Sequence, residues 1–197
     1  MFTLNKASFS GTILDVKTHP NGPSLLKVEQ LAFGIMPTRY TLFIPKGIEP
    51  PALGEKISVK DSLCYEKDGE RRFKVLSQNQ ITEGDLGLNE HSFTGVCMGW
   101  HQVGGTKNVK VEISQDVLGE LPTAFLLFLP EKQQRELVSP VMEPGDYVIV
   151  TNAGIYEKDG EWRYKIQSVK DMGILYFRDY NKGVIDAQRI KEDNYGF

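Results

Sequence analysis

Two cysteines, Cys64 and Cys97, and three histidines, His19, His91 and His101, are the side chains best suited to ligate a metal or act as nucleophiles in this sequence. Their spacing favours neither. They form no CxxC, no zinc-type spacing and no cluster with acids, and the chain holds no Gly-x-Ser-x-Gly and no P-loop. The sequence therefore predicts a protein that is not an enzyme, with no metal and no cofactor. Chemistry of another kind is offered by two short segments. One carries Tyr65, Lys67, Arg71, Arg72, Phe73 and Lys74; the other carries Tyr156, Lys158, Trp162, Arg163, Tyr164 and Lys165. Rings interleaved with cations can stack on flat ligands and neutralise anionic ones, each stacked base being worth about 1–3 kcal/mol.

The two segments are copies of one another. Cys64-Tyr65-Glu66-Lys67-Asp68-Gly69-Glu70 recurs as Ile155-Tyr156-Glu157-Lys158-Asp159-Gly160-Glu161, 91 residues later. Upstream, Gly54-Glu55-Lys56-Ile57 matches Gly145-Asp146-Tyr147-Val148 at the same offset; Phe43-Ile44-Pro45 matches Phe128-Leu129-Pro130 at 85, and Phe9-Ser10-Gly11 matches Phe93-Thr94-Gly95 at 84. The change of offset places an insertion within Glu131 to Pro144, where a loop accepts it. Residues 1–84 and 85–175 thus form two domains, and 176–197 is a C-terminal extension that is expected to open as a short helix. The repeat also explains the thiols. Cys64 matches Ile155 and Cys97 matches Ile13, so both are expected as buried apolar groups.

Each copy reads as five short strands separated by turn signals, an all-β pattern. In the first copy they are placed near Phe9–Lys17, Leu25–Ala32, Tyr40–Ile44, Lys56–Leu63 and Arg71–Gln78. In the second they are placed near Phe93–Gln102, Val109–Gln115, Phe125–Leu129, Tyr147–Asn152 and Trp162–Val169. Asp68-Gly69 and Asp159-Gly160 mark tight hairpins, because Gly there adopts the positive φ that twisted strands require. The strands that pair ahead of these hairpins, with their loops, add Lys17, His19, Lys27, Arg39 and Tyr40 in the first copy and Trp100, His101, Lys107 and Lys110 in the second. Trp100-His101 precedes a Gly104-Gly105 turn that would make a flexible lip.

Composition narrows the function classes. The 197 residues are 40% hydrophobic and 25% charged, close to average globular usage. No apolar run is long enough for a membrane helix and Met1 to Ser10 has no signal core, so the expected location is the cytoplasm, away from membranes. The net charge of −3 argues against a polycation, but it divides unevenly: residues 1–84 carry +2 and residues 85–175 carry −5. The first copy is the better candidate for phosphate.

Five strands closing in a long hairpin, with a variable connection between the third and fourth, is the element order of the OB-fold. The run from Phe-x-Pro through Gly-acid-x-hydrophobic-x-hydrophobic to Asp-Gly-Glu-x-Arg-aromatic resembles the second half of bacterial single-stranded DNA-binding proteins. Those proteins carry a comparable strand and a charged, Gly-tipped hairpin ending in Arg-Tyr. The resemblance covers roughly residues 7–80 and 91–170. It implies two tandem five-stranded OB-fold barrels with a short C-terminal extension, binding single-stranded DNA without chemistry in replication, recombination or repair. The expected contacts are Lys17, Lys27, Arg39, Tyr40, Tyr65, Lys67, Arg71, Arg72, Phe73, Lys74, Trp100, Lys107, Lys110, Tyr156, Lys158, Trp162 and Arg163. RNA in place of DNA leaves no distinguishing signature.

The final residues, Lys191 to Phe197, are similar to the acidic, Phe-ended peptide with which that family recruits replication or repair proteins. They depart from it in having two acids, Glu192 and Asp193, and Gly196 where the family has Pro. A second reading keeps the barrels and makes them a protein–protein assembly or homodimerisation module without nucleic acid, since fold alone does not fix function.

Overall fold

The computed structural model describes residues 3–118, 122–131, 144–166 and the backbone of 175–177. Among the described residues twelve strands are formed: β1 (Asn5–Thr18), β2 (Ser24–Ala32), β3 (Met36–Ile44), β4 (Lys56–Lys67), β5 (Glu70–Lys74), β6 (Ile81–Glu83), β7 (Asn89–Gln102), β8 (Val109–Gln115), β9 (Thr123–Leu129), β10 (Tyr147–Lys158), β11 (Glu161–Ile166) and β12 (Leu175–Phe177). All ten expected strands are present. The hairpins are longer than expected on one side, with β4 and β10 running to the turn, while β5 stops at Lys74 and gives way to a 3-10 turn at Gln78–Gln80 and to β6, neither of which carries a periodic apolar pattern. The extension begins with β12 pairing to β10 and not with a helix. Residues 178–197, with the Phe-ended peptide, and most of the Glu131–Pro144 connection lie outside the described residues.

In the first half the sheet runs β1-β2-β3-β5-β4 and closes by β4 pairing back to β1; in the second, β7-β8-β9-β11-β10 closes by β10 pairing to β7. Both rings are antiparallel except for the parallel β3–β5 and β9–β11 pairs. These are two five-stranded OB-fold barrels, one after the other. Strand 1 must coil sharply to pair with two neighbours, and the register skips a residue between Ile13 and Asp15 and again between Cys97 and Gly99. Gly11 and Gly95 sit at the closest approach: a Cβ would lie 2.4 Å from the Glu29 carbonyl oxygen and 2.5 Å from that of Ser114.

Alternation along the strands fills each barrel with an equivalent ring triad. Phe9 stacks on Tyr40 at 4.0 Å between centroids with Phe73 edge-on at 5.1 Å from Tyr40; Phe93 lies 4.4 Å from Phe125 with Tyr164 edge-on at 5.4 Å. All six rings are fully buried. Burial of each contributes about 2–3 kcal/mol, which makes these triads the nuclei of the two cores. Cys64 and Cys97 are buried free thiols, as the matching isoleucines predict, and burial pushes both thiols up from their ordinary range.

The barrels are joined through strand 1 of each copy. Asn5 to Phe9 pairs antiparallel with Phe93 to Asn89, Ala7 standing opposite His91. Ala7 and His91 are themselves equivalent, 84 residues apart, so a local two-fold axis passes through this pair. Asn5 pins the junction: its Nδ2 donates to the Cys64 carbonyl at 2.7 Å and to Gln115 Oε1 at 2.8 Å, while its Oδ1 accepts from the Cys64 amide at 3.0 Å.

Candidate nucleic-acid interface

Strands β2, β3 and β5 turn one set of side chains into the first barrel and the other set outward. On β3, Tyr40, Leu42 and Ile44 point in, so Arg39, Thr41 and Phe43 belong to the outer face. The register assembles rows across this face. Lys17 pairs with Leu25, Leu25 with Phe43, and Phe43 with Lys74. One rung along, Asp15 pairs with Lys27, Lys27 with Thr41, and Thr41 with Arg72. Phe43 is half-buried, and Lys74 Nζ stands 5.8 Å from its ring centroid.

The second barrel repeats the first row position for position. His101 pairs with Lys110, Lys110 with Phe128, and Phe128 with Lys165. Phe128 is half-buried like Phe43. Each barrel therefore places a phenylalanine on its outer face in register with a lysine of the parallel strand and a basic residue of strand 1; Lys74 Nζ stays over Phe43, whereas Lys165 Nζ reaches across to the Phe33 ring of the first barrel, 5.5 Å from its centroid. Sequence reasoning used Phe43 and Phe128 as landmarks of the repeat and missed them as candidate contacts. Their signal was parity: each stands one residue from the core-facing Ile44 or Leu129.

Several expected contacts are corrected. Tyr40 and Phe73 are fully buried in the first barrel, and Tyr65 and Tyr156 are each 5% exposed, so none presents a face to a base. Tyr156 packs edge-on to Phe33, 5.7 Å away, across the junction of the barrels. Arg71 is buried as well, with Nη2 donating to the Ala124 carbonyl at 2.7 Å. Trp162 is half-buried, its ring 5.5 Å from both Tyr40 and Phe73. Tyr40 and Phe73 face inward by strand parity, whereas Tyr156, Arg71 and Trp162 are covered because the two hairpins close on the opposite barrel.

The other expected contacts lie outside the cores, although the side chains of Arg72, Lys110 and Arg163 are only 18%, 15% and 17% exposed. Trp100 is 48% exposed at the far end of β7, and Lys67 and Lys158 are exposed at the hairpin turns. Lys17, Lys27, Arg39, Arg72, Lys74, Lys110 and Arg163 lie on or beside the outer faces, and Lys107 lies in the β7–β8 loop. Most of these cations already hold a carboxylate. Lys27 and Arg72 share Glu70, Lys110 and Arg163 share Glu161, Arg39 meets Glu29 at 2.8 Å, and Lys107 meets Glu131 at 3.2 Å. Burial raises the Glu70 carboxyl, but donors from Lys27, Thr41 and Arg72 outweigh it and hold the group below its usual range. Lys110 does most to depress Glu161, against a smaller burial effect and with help from Arg163.

No group of metal-ligating side chains occurs among the described residues, and none of their helices is long and apolar enough to cross a membrane. No known protein family matches the sequence, and no curated protein does. Solved structures do match. The single-stranded DNA-binding protein from Thermus aquaticus superposes with a TM-score of 0.59 at 15% identity, covering 89% of this chain and 94% of that one. A deletion variant of the same protein gives 0.54 at 15% identity over 90% and 97%. At this identity the likeness is one of fold, and the fold is a tandem pair of OB-fold barrels.

Proposed function

We propose that this protein binds single-stranded DNA without chemistry, along the outer faces of both barrels, in replication, recombination or repair. The observation that carries the reading is the repeated row: Lys17, Leu25, Phe43 and Lys74 in one barrel and His101, Lys110, Phe128 and Lys165 in the other. A ring for a base beside cations for its phosphates is the minimal unit of sequence-tolerant strand binding. Its presence at equivalent positions of both barrels suits a ligand that is itself a repeat. The fold shared with a single-stranded DNA-binding protein supports the same reading.

The test is titration of the folded protein with oligo-dT at 50 mM salt, followed through tryptophan fluorescence. Exposed Trp100 reports on the lip of the second barrel. Saturable binding that weakens with salt is expected; its absence would remove the reading. The assembly alternative is favoured by Leu31 and Ile35, 57% and 76% exposed beside the β2–β3 turn. For that alternative, a concentration-dependent mass in solution with no oligonucleotide affinity is the expected result.

A further inference from the structure

Glu70 and Glu161 occupy equivalent positions, 91 residues apart, directly after the hairpin glycines. On each of them the donors of an outer face converge. Glu70 Oε1 accepts from Lys27 Nζ at 2.5 Å and from Thr41 Oγ1 at 2.8 Å, and Oε2 accepts from Arg72 Nε at 3.2 Å. Lys27 Nζ also donates to Thr41 Oγ1 at 2.6 Å, which orients the hydroxyl towards the carboxylate. Glu161 Oε2 accepts from Lys110 Nζ and Arg163 Nε, both at 2.7 Å.

An ammonium, a hydroxyl and a guanidinium delivered by three neighbouring strands form a built oxyanion site, of the kind a phosphodiester oxygen occupies. The second barrel reaches a similar arrangement by a different route. Lys110 matches Leu25 and not Lys27, and Leu126 stands where the first barrel has Thr41. A lysine from another rung thus meets the same glutamate. The carboxylates are accessible, with 38% and 35% of their side chains exposed, so rotation of the side chain can vacate either site without moving a strand.

We propose that these are two phosphate subsites filled by the chain's own carboxylates, so that Glu70 and Glu161 compete with the backbone of a bound strand and hold affinity down. The inference rests on the single-stranded DNA reading. Phosphate and carboxylate carry the same sign and cannot share the donors, so each bound phosphate displaces a glutamate. The first barrel, with three donors, is the stronger subsite.

The test is oligo-dT titration between 50 and 300 mM salt with the full chain, its Glu70→Gln and Glu161→Gln variants, and the double variant. The amide keeps the shape of each glutamate and removes its charge. Arg72 and Arg163 keep Asp68 and Asp159 at 3.8 and 3.9 Å, so each substitution frees chiefly one lysine and is expected to tighten binding at 50 mM salt by about threefold to tenfold and to steepen the logarithmic salt slope by about 0.7. Lys27→Met should cost more affinity in the Glu70→Gln background than in the wild type. The two glutamates are independent trials of one idea, so loss of fold in one variant leaves the other decisive. Unchanged affinity and slope in variants of a protein that binds overturns the competition and leaves the DNA reading intact. Failure of both wild type and double variant to bind overturns both.

Discussion

The guanidinium of Arg71 lies 5.4 Å from the ring centroid of Phe125 in the other barrel, and its match Trp162 reaches back to Tyr40 at 5.5 Å. Positions 71 and 162 are equivalent, as are 40 and 125, so each barrel extends the same residue onto the same ring of its neighbour. The backbone repeats the exchange. The Glu157 amide donates to Thr38 Oγ1 at 3.2 Å and the Glu66 amide to Thr123 Oγ1 at 3.0 Å, again at matching positions. The hairpins therefore lock the barrels together across the two-fold axis.

One half of this exchange is apolar and the other buries a charge, which sets different expectations. Trp162→Ala removes a ring packed on Tyr40 and Phe73 and should cost about 2–4 kcal/mol. Arg71 keeps Nε and Nη1 buried with no hydrogen-bond partner among the described residues. Arg71→Met removes two unsatisfied buried N–H groups but also takes the donor from the Ala124 carbonyl and from Glu66, 3.3 Å away, so the two effects largely offset and the cost should stay below about 2 kcal/mol. Urea unfolding midpoints decide, and a loss above about 2 kcal/mol for Arg71→Met would show that the charge stabilises the junction.

Phe43→Ala and Phe128→Ala should separate binding from stability. Both rings are half-buried on the outer faces, so truncation removes a stacking platform and little core. Each is expected to weaken oligo-dT binding by about 1–3 kcal/mol. Tyr40→Ala, in contrast, should unfold the first barrel, because it opens a cavity in the buried triad. Equal binding by Phe43→Ala and the wild type would move the strand away from β3.

The sequence displays what is local and periodic. The Asp-Gly turns hold Asp68 and Gly69 at φ of 54° and 74° and Asp159 and Gly160 at 56° and 74°, as paired residues of a tight hairpin must be. Ten strands and two buried thiols were legible for the same reason. The choice between Tyr40 and Phe43 was also open to parity, since residues of one strand three apart face opposite ways. Arg71 and Trp162 were not legible. They look like exposed hairpin cations and rings until the other barrel, whose contacting residues lie some 50 to 120 positions away, covers them. The charge count misled similarly, because it cannot show that Lys27 and Arg72 already share Glu70.

Gly11→Ala and Gly95→Ala test the coiling of strand 1. The added methyl would meet a backbone carbonyl that barrel closure holds in place, so there is no flexible side chain to yield. Destabilisation of about 1–3 kcal/mol or more is expected for each. Thermal unfolding should show it, while oligo-dT affinity should be unchanged when the protein is assayed below the lowered midpoint.

His91 makes the junction sensitive to acid. It is fully buried on the two-fold axis, with Nε2 3.0 Å from Asn5 Oδ1 and rings of Phe93, Phe125 and Tyr164 around it. Asn5 Oδ1 already accepts from the Cys64 amide, so it acts as acceptor to His91 and fixes the neutral tautomer with its proton on Nε2. Burial, with a further contribution from the nearby Arg71 cation, holds the imidazole well below its ordinary value of 6.5. The unfolded chain takes up a proton below about pH 6.5 while the folded chain does not, so stability must fall as pH drops through that value. The slope contributed by this one group approaches about 1.4 kcal/mol per pH unit. His91→Gln keeps a donor for Asn5 and cannot titrate. Urea unfolding between pH 7 and 5 should show a shallower decline for His91→Gln than for the wild type; parallel declines would mean that another group governs the acid sensitivity of the junction.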